Sequence, residues 1–158
     1  MNSNLYSFSG PLPQLRAVSR LLVLAFLPLT AGAATLIWTN TAGGAWTNAA
    51  NWSPNQVPSA ADQAFITNAG SYTVTLAVNG AATLTLGGSG GSPILQQGAG
   101  TLTLGGESRI RAGGNLNWTG GTLAGAVTLE SGALLGINGS GGKTWNAAVT
   151  NLGTIQFG

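Results

Sequence analysis

The sequence predicts an all-β chain, a parallel β-helix or solenoid preceded by a signal peptide, with an antiparallel β-sandwich as the competing arrangement. Three observations predict it. The hexapeptide Thr-Leu-Thr-Leu-Gly-Gly occurs twice, at Thr83–Gly88 and Thr101–Gly106, 18 residues apart. Apolar and polar residues alternate with period two through most of residues 68–158, as in strands with one buried face. Gly-Gly pairs at 87–88, 90–91, 105–106, 113–114, 120–121 and 141–142 separate these runs. Glycine takes the positive φ of tight corners without steric cost.

Residues 1–34 read as the signal peptide. Arg16 and Arg20 form its positive flank and Leu21–Leu29 its apolar run. Ala31-Gly32-Ala33 then offers small residues at the positions signal peptidase reads, and cleavage is expected after Ala33 or Ala34. The apolar run is shorter than the roughly 20 residues a spanning helix needs, so no stable membrane span is expected after cleavage. No Arg-Arg pair is present, which points to general secretion.

Residues 35–67 are rich in Trp, Asn and Pro, and residues 68–158 in Gly, Thr and Leu. In the second zone Val74, Leu76 and Val78 are expected on one face of the first strand. Leu84 with Leu86, and Leu102 with Leu104, repeat the pattern. Ile110 stands between Arg109 and Arg111, which should face water. Leu116 with Trp118, Val127 with Leu129, and Ile155 with Phe157 continue it.

Parallel strands in a flat sheet need crossovers of about a dozen residues or more, usually helical. No segment here carries a helical apolar stripe of that length. A hairpin sandwich or a coil remains, and the 18-residue step favours the coil. That step recurs at Leu116, Leu134 and Leu152, while Leu102 to Leu116 is shorter, so unequal turns are expected. A stack exposes apolar side chains and unpaired backbone at its ends. The Trp-rich zone is placed to cap the N-terminal end. The chain stops in a strand pattern at Thr154–Gly158, so turns continuing beyond Gly158, or self-association through an uncapped C-terminal turn, are expected.

Charged residues are 5% of the chain, against about 25% in ordinary domains. Beyond residue 34, Arg109, Arg111 and Lys143 balance Asp62, Glu107 and Glu130. No basic patch exists for a phosphate backbone, which argues against nucleic-acid binding. There is no Cys and no His. Disulfides and thiolate metal sites are thereby ruled out, and no metal or other cofactor is expected.

Trp38-Thr39-Asn40, Gly43-Gly44-Ala45-Trp46, Ala49-Ala50-Asn51-Trp52-Ser53-Pro54, Val57-Pro58 and Asp62 together resemble a known module. It is the Trp-rich opening of large exported bacterial proteins with autotransporter-associated β-strand repeats. Asn117–Leu123 and Asn151–Ile155 resemble their rungs. The resemblance implies a right-handed parallel β-helix outside the cell or at its surface, and no single activity.

Candidate chemistry is sparse. A glycosidase needs two carboxyls about 5–10 Å apart. Glu107 and Glu130 fit neighbouring turns, but outward strand positions near Arg109 and Arg111 make a surface ion pair the simpler reading. Without His or Cys, the usual bases for a serine nucleophile are missing. A Ser140–Lys143 pair lies in a Gly-rich loop. Tryptophan is the suggestive group. Trp46 and Trp52 are the candidate ligand-binding residues, because exposed indoles stack on sugar rings. Packing as an end plug uses the same residues. Trp118, alternating with Leu116, should be interior.

The expectation is a secreted or cell-surface β-solenoid, adhesin-like and structural, without catalytic activity of its own. Its partners would be extracellular polysaccharide or the cell envelope. A carbohydrate-binding module, or the front part of a polysaccharide-degrading enzyme with its acids downstream, are the alternatives.

Overall fold

Apolar residues that recur once per coil, each stacked on its predecessor, build this molecule. The computed structural model describes residues 32–88 and 90–158, together with Gly10. Arg16, Arg20 and the apolar run of the expected signal peptide lie outside the described residues. The strands are β1 (Thr35–Trp38), β2 (Gly44–Ala45), β3 (Trp52–Ser53), β4 (Gln63–Ile66), β5 (Thr73–Leu76), β6 (Gly80–Leu86) and β7 (Ile94–Gln97). They continue as β8 (Thr101–Ile110), β9 (Asn115–Trp118), β10 (Gly121–Leu129), β11 (Leu134–Ile137), β12 (Lys143–Asn151) and β13 (Thr154–Phe157).

The chain deals its strands alternately into two sheets. One runs β12-β10-β8-β6-β4-β1-β3 and the other β13-β11-β9-β7-β5-β2. Every neighbouring pair is parallel except β1 and β3. This is a parallel β-solenoid, as the alternation and the corner glycines predict. The sandwich alternative, which needs antiparallel hairpins, is set aside.

Inward positions stack in register. In the second sheet Val74, Leu95, Leu116, Leu135 and Ile155 form one column. In the first, Leu102, Leu123 and Trp145 form another, and Leu86, Ile110 and Leu129 a third. The first four members of the long column have no exposed surface. The Trp-rich zone is part of the same stack: Leu36 of β1 pairs with Ala64 of β4, which pairs with Leu84 of β6. Trp118 is buried as expected, and Ile110 is buried between exposed Arg109 and Arg111.

The register corrects the 18-residue repeat. Leu102 and Leu104 do not stack on Leu84 and Leu86; they lie opposite Gly80 and Ala82. Leu86 meets Ile110 instead. The actual step is about 20 residues, at the short end of solenoid periods. The step from Gly80 to Leu102 is already 22 residues, and a bulge in β8 lengthens it to 24 from Thr85 to Arg109. Ala82 pairs with Leu104 but Thr85 pairs with Arg109, so β8 carries additional residues around Gly105–Glu107. The Ser108 hydroxyl, almost fully buried, accepts the Leu84 N–H at 3.0 Å and replaces the interrupted ladder bond. Likewise Leu116 stacks on Leu135, not Leu134, and Leu152 is exposed at the corner before β13. Val78, expected beside Val74 and Leu76, lies past the end of β5 and is half exposed.

Gly125 sits opposite the bulge, where the β10–β8 register shifts. Its φ is +89°, and a Cβ there would run into the Leu104 carbonyl oxygen. Gly125→Ala should therefore cost at least about 1–2 kcal/mol from the backbone conformation alone. Gly106 has open space around its Cβ position, so Gly106→Ala should change stability by no more than about 0.5 kcal/mol. Urea unfolding of the two variants checks the contrast.

Candidate functional site

Asparagine side chains shape the first coil. Asn40, just after β1, accepts the Ala42 N–H through Oδ1. Its Nδ2 donates to Gly43 O at 2.7 Å and to Asn51 Oδ1 at 3.0 Å. Asn51 in turn donates to Ala45 O at 3.0 Å. Asn48 accepts the Ala50 N–H and caps the short 3-10 turn Ala49–Asn51. This network turns the chain so that β3 runs back antiparallel against β1, pairing Ile37 with Ser53 and Trp38 with Trp52.

The turn also brings three indoles together. Trp38 and Trp52 meet edge to face at 5.1 Å and 88°, and Trp46 and Trp52 at 4.9 Å and 75°. Trp52 Nε1 donates to Trp46 O at 2.8 Å, and Trp38 Nε1 to Asn40 O at 2.6 Å. Trp46 and Trp52 are each 1% exposed. Neither offers an open ring face, so the sugar-stacking role considered for them finds no surface here. Their geometry is that of a plug: edge-to-face pairs that bury large apolar area over the first coil.

Asp62, at the entrance to β4, is 3% exposed. Its Oδ1 accepts the Ala34 N–H at 2.9 Å. Its Oδ2 accepts the Ser59 N–H at 2.8 Å, the Ser59 hydroxyl at 2.7 Å and Gln56 Nε2 at 3.3 Å. The Ser59 hydroxyl, then the Ala34 N–H, hold this carboxyl below the ordinary carboxylate range, against the opposing effect of burial. Reading the residues in sequence does not assign Asp62 this role. The signal that carries it is the Ser-x-x-Asp spacing of Ser59 and Asp62, which lets the acid reach back to the serine N–H.

The other charges sit on the outside. Arg109 reaches both Glu107 and Glu130 at 3.7 Å, and Arg111 reaches Glu130 at 4.0 Å. The two glutamates are thus brought to one cluster, but by shared arginines on an exposed face. Such pairs contribute about 0–1 kcal/mol. Lys143 donates to Gly139 O at 2.7 Å and Gly141 O at 3.1 Å, tying its own corner together. Among the described residues no cavity opens, and no three His, Cys, Asp or Glu side chains gather. No helix among them is long and apolar enough to cross a membrane.

The last coil differs from all others. Trp145, Ile155 and Phe157 occupy inward positions, above Leu123, Leu135 and Ile137. Yet Trp145 is 43% and Phe157 76% exposed. Trp145 is held edge-on to Trp118 at 5.7 Å, and its Nε1 donates to Ala147 O. No family model, curated protein or solved structure matches the chain.

The pH response of the first coil follows from Asp62. A carboxyl with a depressed folded pKa stabilises the fold above its unfolded value, near 3.8, and that contribution is lost as pH falls through the folded value. The melting temperature should drop below about pH 4. Asp62→Asn, which turns an acceptor into a donor facing Ser59, should melt lower at pH 7 and show a weaker acid dependence. Thermal melts from pH 2 to 7 compare the two.

Proposed function

We propose that the chain is a secreted or cell-surface β-solenoid that serves as a scaffold, its first coil capped by the Trp-rich zone. It has no catalytic activity of its own in this reading, and it reaches the cell exterior through general secretion. The pattern for it is the group of large exported bacterial proteins with autotransporter-associated β-strand repeats, which the Trp-rich opening and the rungs resemble.

The observation that carries the proposal is the in-register stack of parallel coils, with Val74, Leu95, Leu116, Leu135 and Ile155 in one column. The first coil is closed by β3 and three buried indoles. The last coil leaves Trp145, Leu152 and Phe157 uncovered. Parallel coils stacked in register suit an extended scaffold better than a self-contained binding module. The outward residues are mainly Thr, Asn, Ser and Gly, with few charges. In this reading that polar, nearly neutral flank faces the cell envelope or extracellular polysaccharide.

Two experiments test the proposal. Trp46→Ala should destabilise by about 3–5 kcal/mol, as expected for removing a buried indole. Retention of the folded protein on insoluble polysaccharide should be unchanged. Lost retention with an unshifted melting curve would favour the carbohydrate-binding reading. The exported chain should also self-associate through its open coil in analytical ultracentrifugation, and Trp145→Glu with Phe157→Glu should return it to monomer. A monodisperse wild-type monomer would count against association through this coil.

A further inference from the structure

Asp62 is a carboxylate almost fully withdrawn from water, and all its partners are neutral donors. Every ion pair among the described residues uses Glu107 or Glu130 instead. Buried carboxylates are normally paired with a cation. We propose that Asp62 is the receptor for a new N-terminus, formed when the leader is cut between Ala33 and Ala34. The inference rests on the export reading above.

The geometry separates the two cleavage positions that the sequence leaves open. Ala34 is anchored three ways: its N–H donates to Asp62 at 2.9 Å, its carbonyl accepts the Gln63 N–H at 2.8 Å, and its methyl packs on the core. Gly32 and Ala33 are exposed, and a Cβ at Gly32 would touch nothing within 4 Å. The border between free and anchored chain therefore falls between Ala33 and Ala34. A cut after Ala34 would take away Asp62's Oδ1 donor and Gln63's acceptor together. A cut after Ala33 uses the frame Ala31-Gly32-Ala33, with alanine at both small-residue positions.

The reaction is a peptide hydrolysis by a signal peptidase. Water adds across the Ala33–Ala34 amide and the C–N bond breaks. Ala33 leaves as a carboxylate, and Ala34 nitrogen takes up protons to become an ammonium. That nitrogen already lies 2.9 Å from the carboxylate oxygen, within the usual range of a charge-assisted bond. The amide contact becomes an ion pair without movement of a heavy atom. Maturation would then lock β1 onto β4 at the end of the stack that the indoles plug.

Asp62 is the titratable group facing this nitrogen; Ser59 and Gln56, which share the carboxylate, are neutral. An ammonium held by a carboxylate has a raised pKa. Its contribution to stability is complete below the unfolded value of about 7.7–8.0 and is lost as pH rises through the folded value.

The test uses the exported protein itself. N-terminal sequencing and intact mass of material recovered from the medium or envelope should give Ala34 as the first residue. A start at Thr35, or at any other residue, overturns the inference while leaving export standing. A chain that keeps Met1 and stays inside the cell overturns both. The α-amine of the exported wild type should then titrate above about pH 8, read from the pH dependence of its acylation rate. In Asp62→Asn it should titrate at least one unit lower, which is about a tenfold change in protonation constant. An ordinary value in the wild type overturns the Asp62 pairing even if the variant does not fold.

Discussion

The parallel hydrogen-bond ladder between successive coils is the constraint on which the rest of this structure depends. A parallel neighbour is a whole coil away in sequence, so each strand finds its partner only after the chain has gone round. Each coil must then return an apolar residue to the same inward position. Val74, Leu95, Leu116, Leu135 and Ile155 meet that demand in one column. A fully buried Leu, Ile or Val contributes about 1.5–3 kcal/mol. The exposed ion pairs around Arg109 contribute about 0–1 kcal/mol each. The inner columns outweigh the outer charges, which is why a chain with 5% charged residues loses little stability by having so few.

Period-two alternation made the fold class legible, together with burial at Ile110 and Trp118. It could not make the register legible. Alternation says which residues face inward, and says nothing of which residue one coil away lies opposite. The repeated hexapeptide is the clearest case. In Thr83–Gly88 its glycines end a strand, with φ of +86° at Gly87 and +104° at Gly88. In Thr101–Gly106 the same glycines lie inside β8 at a bulge. The difference comes from the residues C-terminal to each copy. Ser108, three residues after Gly105, supplies the hydroxyl that the Leu84 N–H needs, and a side chain at Gly105 would meet Thr83. Leu134 and Leu135 illustrate the same limit. A slip of one residue moves a side chain to the other face, and two adjacent leucines give no pattern to choose between them.

The candidate site was legible in its residues and not in its arrangement. An indole serves equally as a plug or as a sugar platform, so Trp46 and Trp52 could be named from the sequence but their exposure could not. The ring faces are buried, and burial comes from Asn40 and Asn51 bending the chain back. Asp62 shows a local signal and a distant one. Its contact with Ser59 is written in a three-residue spacing. Its contact with Ala34 spans 28 residues and exists because β1 pairs with β4. That second contact has no trace in composition or periodicity.

The first coil of the stack is closed by a strand that runs against the series. A parallel coil laid on a parallel edge presents a fresh edge of the same kind, so such stacking never closes itself. An antiparallel strand breaks the series because the chain has reversed and its outer edge no longer lies where the next coil would run. At the N-terminal end β3 does this over Ile37 and Trp38, and the indoles cover the apolar interior that two residues cannot reach. At the other end β12 and β13 are parallel to their neighbours, like every coil before them. Trp145, Ile155 and Phe157 hold the inward positions of Leu123, Leu135 and Ile137 one coil earlier, and differ from them only in having nothing above. The exposure of Trp145 and Phe157 is thus a property of position in the stack.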